Sequence, residues 1–196
     1  MRRAVLSVVM GVVLLAAIIG VRRATPGVDE RYAPIAVSGA LGEQVDTAAF
    51  QLRVDRLELG GAVRITDDYG LTGEPKSTAG IWVVVWATVA AASTSLQVQG
   101  ARLRTADGSE YLASSTIGTL DKTDLSPGIP AYGPILFEIP PDRLTGAVLS
   151  VTTHSVKGLD LLGPAADVDL GLTASYATGL LQRMPPTVTV GPVRNL

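Results

Sequence analysis

The stretch 80-GIWVVVWATVAAAS-93 decides the fold. It holds twelve uncharged residues in a row, Ile81 to Ala92, and its two tryptophans are four positions apart. Twelve residues are too few to cross a bilayer as a helix. β-branched side chains lose rotamer freedom in a helix and pack well on a pleated strand. The stretch therefore predicts a central β-strand that is apolar on both faces.

The two faces of this strand carry different side chains, because successive residues of a strand point to opposite sides. One face carries Trp82, Val84, Trp86, Thr88 and Ala90. The other face carries Ile81, Val83, Val85, Ala87 and Val89. A two-layer sandwich buries one face of each sheet. If the valine face is the core face, the tryptophans lie on the outer face.

The rest of the chain after residue 41 consists of short β-like runs separated by turn residues. The run 50-FQLRVDRLEL-59 alternates up to Val54 and then changes phase, which predicts a β-bulge. Asp107-Gly108 between two runs predicts a hairpin. A long polar connection is expected at 60–80, with room for a short strand near Val63–Ile65. Seven or more short strands with turns between them favour an antiparallel β-sandwich.

The N-terminus predicts a membrane anchor. Ala4–Val21 is an uncharged run of 18 residues between two pairs of arginines. As a helix it would span about 27 Å, close to the hydrocarbon thickness. The alternative is a cleaved signal peptide, whose apolar region is shorter and ends in a small-x-small cleavage site. No clean site precedes Arg22, so an uncleaved anchor is favoured, with the short N-terminus inside and the remainder extracytoplasmic.

Charge and composition exclude several function classes. Removing the four arginines that flank the apolar run leaves 12 basic against 18 acidic residues, a net charge of −6. A nucleic-acid-binding protein needs the opposite sign. Cysteine is absent, which excludes disulfides, thiolate metal sites and cysteine nucleophiles.

Four sequence features resemble a bacterial immunoglobulin-like extracytoplasmic domain family. They lie within residues 41–152 and are Gly42-Glu43-x-Val45, the apolar strand Trp82–Val89, the hairpin from Leu103 through Asp107-Gly108-x-Glu110-Tyr111, and Pro127-Gly128 leading into Phe137-x-x-Pro140. The family includes the secreted mycobacterial immunoprotective antigen and telokin-like domains of unknown function. The resemblance implies an extracytoplasmic immunoglobulin-like β-sandwich on a lipid or helical anchor, with no common enzymatic activity.

The chain departs from that family at three places. Ala91-Ala92 ends the apolar strand, where the family often has an asparagine. Trp86 stands where related domains tend to carry a polar residue. The residues beyond Val156 have no counterpart.

The tryptophans are the candidate partner-contact residues. Tryptophan is enriched at binding hot spots, and large exposed apolar patches mark contact sites. In the functional interpretation Trp82 and Trp86 form such a patch. Arg102 and Arg104 then lie on the same outer face of the neighbouring strand and stack on the indoles or border them, unless they are ordinary solvated arginines. The alternative is that the chain covers the tryptophans itself, with residues 174–184 or the stalk.

Candidate catalytic and metal-binding residues are few. His154 is the only histidine, and no Gly-x-Ser-x-Gly elbow accompanies it. Asp67-Asp68 and Asp121-x-x-Asp124 offer oxygen ligands but match no ordered calcium loop. We therefore predict no enzyme activity, no catalytic residues, no metal, no cofactor, and neither a nucleic acid nor a small-molecule substrate as a partner.

The predicted organisation has four parts. These are a transmembrane signal-anchor at 1–23, a stalk at 24–40, the β-sandwich at 41–173, and a C-terminal extension at 174–196 with a short helix and an edge strand. The predicted function is a membrane-anchored interaction module of the cell envelope that contacts the membrane through residues 4–21 and binds an envelope or membrane protein. The alternative is an accessory subunit of a transporter or secretion complex assembled through its anchor helix.

Overall fold

A computed structural model describes residues 10–11, 35–114, 118–155 and 163–196. The chain divides into two units, Met1–Ala33 and Pro34–Leu196. In the first unit only Met10 and Gly11 are described, and both are helical. The predicted anchor at 4–21 otherwise lies outside the described residues. In the parts of the chain that the structure describes, no helix has both the length and the apolarity to cross a membrane.

The second unit is a β-sandwich of two sheets. Sheet I has the strand order β1-β10-β9-β5-β6, with β7 beside β5, and sheet II has the order β11-β3-β4-β8-β12, with β2 beside β3. The strands are β1 (Ile35–Ala40), β2 (Gln44–Asp46), β3 (Phe50–Ile65), β4 (Lys76–Ala91), β5 (Leu96–Arg104), β6 (Glu110–Leu112), β7 (Asp124–Leu125), β8 (Ala131–Ile139), β9 (Val148–Ser155), β10 (Pro164–Asp169), β11 (Thr187–Val190) and β12 (Arg194–Asn195). One helix, α1 (Ala174–Gln182), lies between β10 and β11, and a 3₁₀ turn spans Pro141–Arg143.

Strand β4 confirms the prediction made from its sequence. It lies in the middle of sheet II and pairs with β3 on one side and β8 on the other. Its valine face packs into the core between the sheets, together with Phe50, Leu52, Leu103, Phe137 and Leu149. The bulge predicted after Val54 is also present, because the β3–β4 register shifts between Val54 and Arg56.

Two of the edge strands pair in parallel. The sandwich is therefore not purely antiparallel, contrary to the prediction. Strand β1 runs parallel to β10, and β11 runs parallel to β3. Parallel neighbours cannot be joined by a tight hairpin and need a crossover from a distant part of the chain. Strands β1 and β11 come from the two ends of the second unit. The periodicity of a short run does not indicate which distant strand it will pair with.

Three predicted boundaries are corrected by these strands. The sandwich begins at Ile35 and not at residue 41, so the last part of the predicted stalk is β1. The predicted polar connection at 60–80 is shorter, because β3 continues to Ile65 and β4 begins at Lys76. The C-terminal extension is part of sheet II, since β11 and β12 are two of its strands. The predicted helix and edge strand in that extension are present as α1 and β11.

We predict that Gly80→Ala destabilises the sandwich strongly. A Cβ atom at Gly80 would lie 2.2 Å from the carbonyl oxygen of Ile139, which is backbone of the paired strand β8. Relief of such a clash in a packed sheet requires a backbone shift, which costs about 2 kcal/mol. Urea unfolding followed by tryptophan fluorescence measures the loss. Gly191→Ala is the control, because a Cβ there meets no atom within 4 Å. Equal stability of the two variants would contradict the close approach.

Candidate functional site

The two tryptophans lie on the outer face of sheet II, as predicted. Val83 and Val85 belong to the core between the sheets, whereas Trp82, Val84 and Trp86 belong to a separate apolar cluster outside sheet II. This outer cluster consists of Val63, Trp82, Val84, Trp86, Leu136, Val188 and Val190, with Ile65 and Tyr132 packed against it.

Of the two alternatives for the tryptophans, the structure shows the one in which the chain covers both of them itself. Trp82 is 6% exposed and Trp86 is 7% exposed. Val188 and Val190 of β11 contribute to this cover, as members of the outer cluster. Helix α1 does not belong to it, since Ala177, Leu180 and Leu181 pack against the core between the sheets. The tryptophans are therefore covered in part by β11, which follows residues 174–184, and not by residues 174–184 themselves.

Trp82 is fixed by a hydrogen bond as well as by packing. Its Nε1 donates to the carbonyl oxygen of Lys76 at 2.9 Å, at the start of the same strand. A buried indole N–H without a partner costs free energy, and this bond removes that cost. Trp86 lacks such a bond: its Nε1 is buried with no hydrogen-bond partner in the described residues. Trp86 is held by ring contacts instead.

Trp86 belongs to a row of four side chains that runs across sheet II. We call it the arginine–aromatic row, and its members in order are Arg56, Trp86, Tyr132 and Arg194. The Cζ atom of Arg56 lies 4.5 Å from the centroid of the Trp86 ring. The rings of Trp86 and Tyr132 are stacked, with centroids 5.6 Å apart and planes inclined by 18°. The Cζ atom of Arg194 lies 5.1 Å from the centroid of Tyr132.

The row follows from the pairing of four adjacent strands. Arg56 of β3 lies opposite Trp86 of β4, and Arg194 of β12 lies opposite Tyr132 of β8. Tyr132 lies opposite Thr88, two residues from Trp86 on the same face of β4. The bulge between Val54 and Arg56 shifts the phase of β3, so that Arg56 and not its neighbour Leu57 faces outward. Without this register shift Asp55 would lie opposite Trp86, and Arg56 would face the core opposite Val85.

Hydrogen bonds hold Arg56 over the ring. Its Nε donates to Oε1 of Glu58 at 2.8 Å, and its NH1 donates to the hydroxyl of Tyr132 at 2.8 Å. The hydrogen bond to Glu58 is the main cause of a raised pKa at the Arg56 guanidinium, which partial burial opposes. Arg56 therefore stays charged. About half of its side chain remains exposed to solvent. The row thus presents charged, planar groups on a buried aromatic base.

Arg102 and Arg104 are not on this face, so the predicted grouping with the tryptophans is wrong. Both lie on β5 of sheet I. Arg102 forms an ion pair with Glu110 at 3.6 Å, and Arg104 forms one with Asp167. The chain crosses from sheet II to sheet I between β4 and β5, so the strand next in sequence is not the neighbour in space.

The remaining candidate residues have local structural partners. Asp67 Oδ1 accepts from the backbone N–H groups of Tyr69 and Leu71, which shapes the turn between β3 and β4. Asp121 accepts from the backbone of Ala101, and Asp124 accepts from the side chain of Gln97. His154 lies opposite Gln97 on β9 and is half-buried. In the described residues, no group of three His, Asp or Glu side chains is placed to hold a metal ion.

One cavity of about 850 Å³ lies beside the turn between β3 and β4. Its lining mixes apolar and charged groups: Ile65, Thr66, Asp67, Asp68, Leu71, Thr72, Gly73, Glu74, Pro75, Lys76, Ser114, Gly118 and Pro192. Leu71 is 70% exposed at its rim. The hydrogen bonds of Asp67 are accounted for by the turn, so this side chain is not reserved for a ligand.

Comparison with known proteins gives matches only among solved structures. No family model matches the chain, and no curated protein matches it in sequence. The chain is similar to an uncharacterised β-sandwich protein from Clostridium difficile, with 10% identity, 74% of this chain and 99% of that chain covered, and a TM-score of 0.46. It is also similar to the secreted protein MPT63 from Mycobacterium tuberculosis, with 20% identity, 68% and 97% covered, and a TM-score of 0.47. The second of these is a secreted mycobacterial protein, the kind of protein that the sequence motifs resemble.

We predict that Arg56→Ala uncovers Trp86. In a Trp82→Phe background Trp86 is the only tryptophan, so fluorescence reports on it alone. Loss of the guanidinium should shift its emission to longer wavelength, increase acrylamide quenching and lower the free energy of unfolding by about 1 kcal/mol. Arg53→Ala is the control, because Arg53 pairs with Asp55 and does not lie over the ring. Unchanged quenching in Arg56→Ala would show that the arginine does not cover the indole.

Proposed function

We propose that the chain is a membrane-anchored, extracytoplasmic interaction module that binds an envelope protein through the outer face of sheet II and catalyses no reaction. The observation that carries the proposal is the arginine–aromatic row. Arginine and aromatic residues are the side chains most enriched at binding hot spots. Here four of them lie in register on adjacent strands.

The row is organised before any partner arrives. Arg56 is held by Glu58 and Tyr132, and the ring of Trp86 is buried under it. Binding through such side chains loses less conformational entropy than binding through mobile ones. Trp82 and Trp86, first expected to touch the partner, act in this proposal as the buried base. The contacting groups are Arg56, Tyr132 and Arg194.

The charges near the row indicate what kind of partner it fits. Arg56 is neutralised by Glu58, and Arg53 is neutralised by Asp55. Arg194 is exposed and makes no ion pair within the described part of the chain. A partner that places one carboxylate at Arg194 and a flat apolar group beside Tyr132 would satisfy this end of the row. A strongly acidic surface is not required.

Photo-crosslinking in intact cells tests the binding face. A photoreactive amino acid replaces Arg53, which is half-exposed beside the row, or Gln99, which is exposed on sheet I. We expect a crosslinked product of defined mass from position 53 and none from position 99. Arg194→Glu should reduce that product about tenfold, since reversal of an interface charge costs more than 1.4 kcal/mol. The charge reversal Arg102→Glu on sheet I should leave the yield unchanged.

Two results would contradict the binding face. Equal crosslinking from both positions would show a nonspecific encounter. Crosslinking that survives Arg194→Glu but is lost when residues 4–21 are replaced by an unrelated anchor would favour an accessory subunit assembled through its anchor helix. Both readouts use the full chain.

Cysteine labelling tests the membrane topology, since the chain has no native cysteine. Tyr69 is 90% exposed at the turn between β3 and β4, so Tyr69→Cys supplies one accessible thiol. We expect a membrane-impermeant maleimide to label this variant in intact cells, at full length and in the membrane fraction. Leu136→Cys, whose side chain is fully buried, is the unlabelled control. Labelling of Tyr69→Cys only after lysis would place the domain in the cytosol and overturn the proposed location.

A further inference from the structure

The free edge of β1 is a second surface, separate from the arginine–aromatic row. Among the strands that the structure describes, β1 is the outermost of sheet I and pairs with β10 alone. In this parallel ladder Ile35 and Leu41 donate toward β10, to Gly163 and Asp169. The odd-numbered residues of β1 therefore use their backbone groups inside the sheet. The even-numbered residues point theirs away from it.

Among the described residues, a partner is found for the outward-pointing groups of the last of these residues, Ala40. The N–H of Ala40 donates to Oε2 of Glu43 at 3.0 Å, and its carbonyl accepts from the N–H of Glu43 at 3.0 Å. No described residue occupies the outward N–H and C=O groups of Ala36 and Ser38. Two residues, spaced by two, thus offer two donors and two acceptors along one line. This is the pattern that another β-strand completes.

The other free edges carry devices within the strand that discourage strand pairing, whereas on β1 the charged group described is the Glu43 carboxylate at the last residue, Ala40. Natural edges are protected by shortness, charge or proline. Strand β6 has three residues and contains Glu110, and β12 has two residues and contains Arg194. Strand β11 has four residues between Pro186 and Pro192. Strand β1 has six residues, IAVSGA, without a charge or a proline.

The side chains of β1 are also unusually exposed for apolar groups. Ile35 is 67% exposed, and Val37 is 39% exposed. Both lie on the face of β1 that looks toward the core, because Val37 is in register with the buried Ala166. The sandwich is open at this margin, and nothing in the described residues covers it. Unpaired backbone and uncovered apolar side chains therefore coincide on one strand.

We propose that the occupant of this edge is β1 of a second copy of the chain, in an antiparallel pair about a twofold axis at Val37. In that register Ala36 lies opposite the second copy's Ser38, and Ser38 lies opposite its Ala36. Both are hydrogen-bonded pairs, so the four free groups on each strand are satisfied by their counterparts. A twofold contact of this kind is self-complementary and closes at two copies.

The side chains fit the same register. Val37 meets Val37 across the axis, at the closer spacing of a non-hydrogen-bonded pair. Ile35 meets Gly39, over which the apolar side chain of Val45 lies. A side chain at Gly39 is excluded from within the chain, because its Cβ would lie 2.4 Å from Cγ2 of Val45. The six-residue strand carries no charge, so the two copies do not repel each other along the pair.

Disulfide capture in the membrane tests this register with the full chain. Directly opposed residues of a non-hydrogen-bonded pair have Cα atoms about 4.5 Å apart, within reach of a disulfide. Val37→Cys should give a crosslinked dimer under mild oxidation. Ser38→Cys is the control, because its own counterpart lies on a diagonal about 7–8 Å away. We expect at least about tenfold less dimer from Ser38→Cys. Equal yields from the two variants, or none from either, would overturn the register.

A charge pair distinguishes self-pairing from other occupants. In the proposed register Ala36→Lys/Ser38→Lys sets lysine against lysine twice, whereas Ala36→Lys/Ser38→Glu sets lysine against glutamate twice. Sedimentation of the full chain in detergent should show a dimer dissociation constant at least about tenfold higher for the first variant. Equal dimerisation of both would place the contact elsewhere, in the anchor for example. Loss of the dimer in both would favour an extended segment of another protein. Either result overturns the proposal.

The failure of this inference is distinguishable from the failure of the proposed function. The charge variants change sheet I only. Photo-crosslinking from position 53 reports on sheet II, which does not share a strand with β1. A monomeric chain that still crosslinks to an envelope protein through sheet II would remove the dimer and leave the interaction module intact.

Discussion

The structure depends on one constraint: strand β4 is apolar on both faces, and both faces must be removed from water. The core between the sheets covers one face, and a simple sandwich would leave the other face, with two indoles, in solvent. Burial of a large apolar side chain contributes roughly 1.5–3 kcal/mol to the stability of the fold. Two exposed indoles would form an apolar surface patch that favours aggregation. The fold meets this constraint with the outer cluster, in which β11 and Tyr132 lie against the tryptophans. The C-terminal segment is therefore structural.

Much of the sandwich could be predicted because its determinants are local. The β-branched run of β4, the phase change after Val54 and the Asp107-Gly108 turn each act within a few residues. At Gly108 φ is +84°, a conformation that side chains other than glycine rarely adopt. The period of two also separated the two faces of β4, and the structure places the valine face in the core.

What could not be predicted depends on pairing between distant segments. Arg56 and Tyr132 are 76 residues apart, and only the pairing of both β3 and β8 with β4 brings them into contact. Arg102 and Arg104 were assigned to the wrong sheet for the same reason. Consecutive strands are often neighbours, but the β4–β5 connection crosses between sheets. A tryptophan pattern indicates an outer apolar face, while the identity of its cover depends on the topology.

The two proposed surfaces are compatible because they belong to different sheets. An antiparallel pair of β1 strands has its twofold axis perpendicular to sheet I, since opposed side chains stay on the same face of the joined sheet. Both copies of sheet II then lie on the same side of that joined sheet. Two arginine–aromatic rows would be presented together to one partner assembly. Two weak contacts held in one dimer bind more tightly than either alone, because the second contact forms within the same complex. The rigid joined sheet sets the effective concentration for that second contact. A row in which Arg194 has no ion-pair partner among the described residues serves in this way as a selective site without a strongly charged surface.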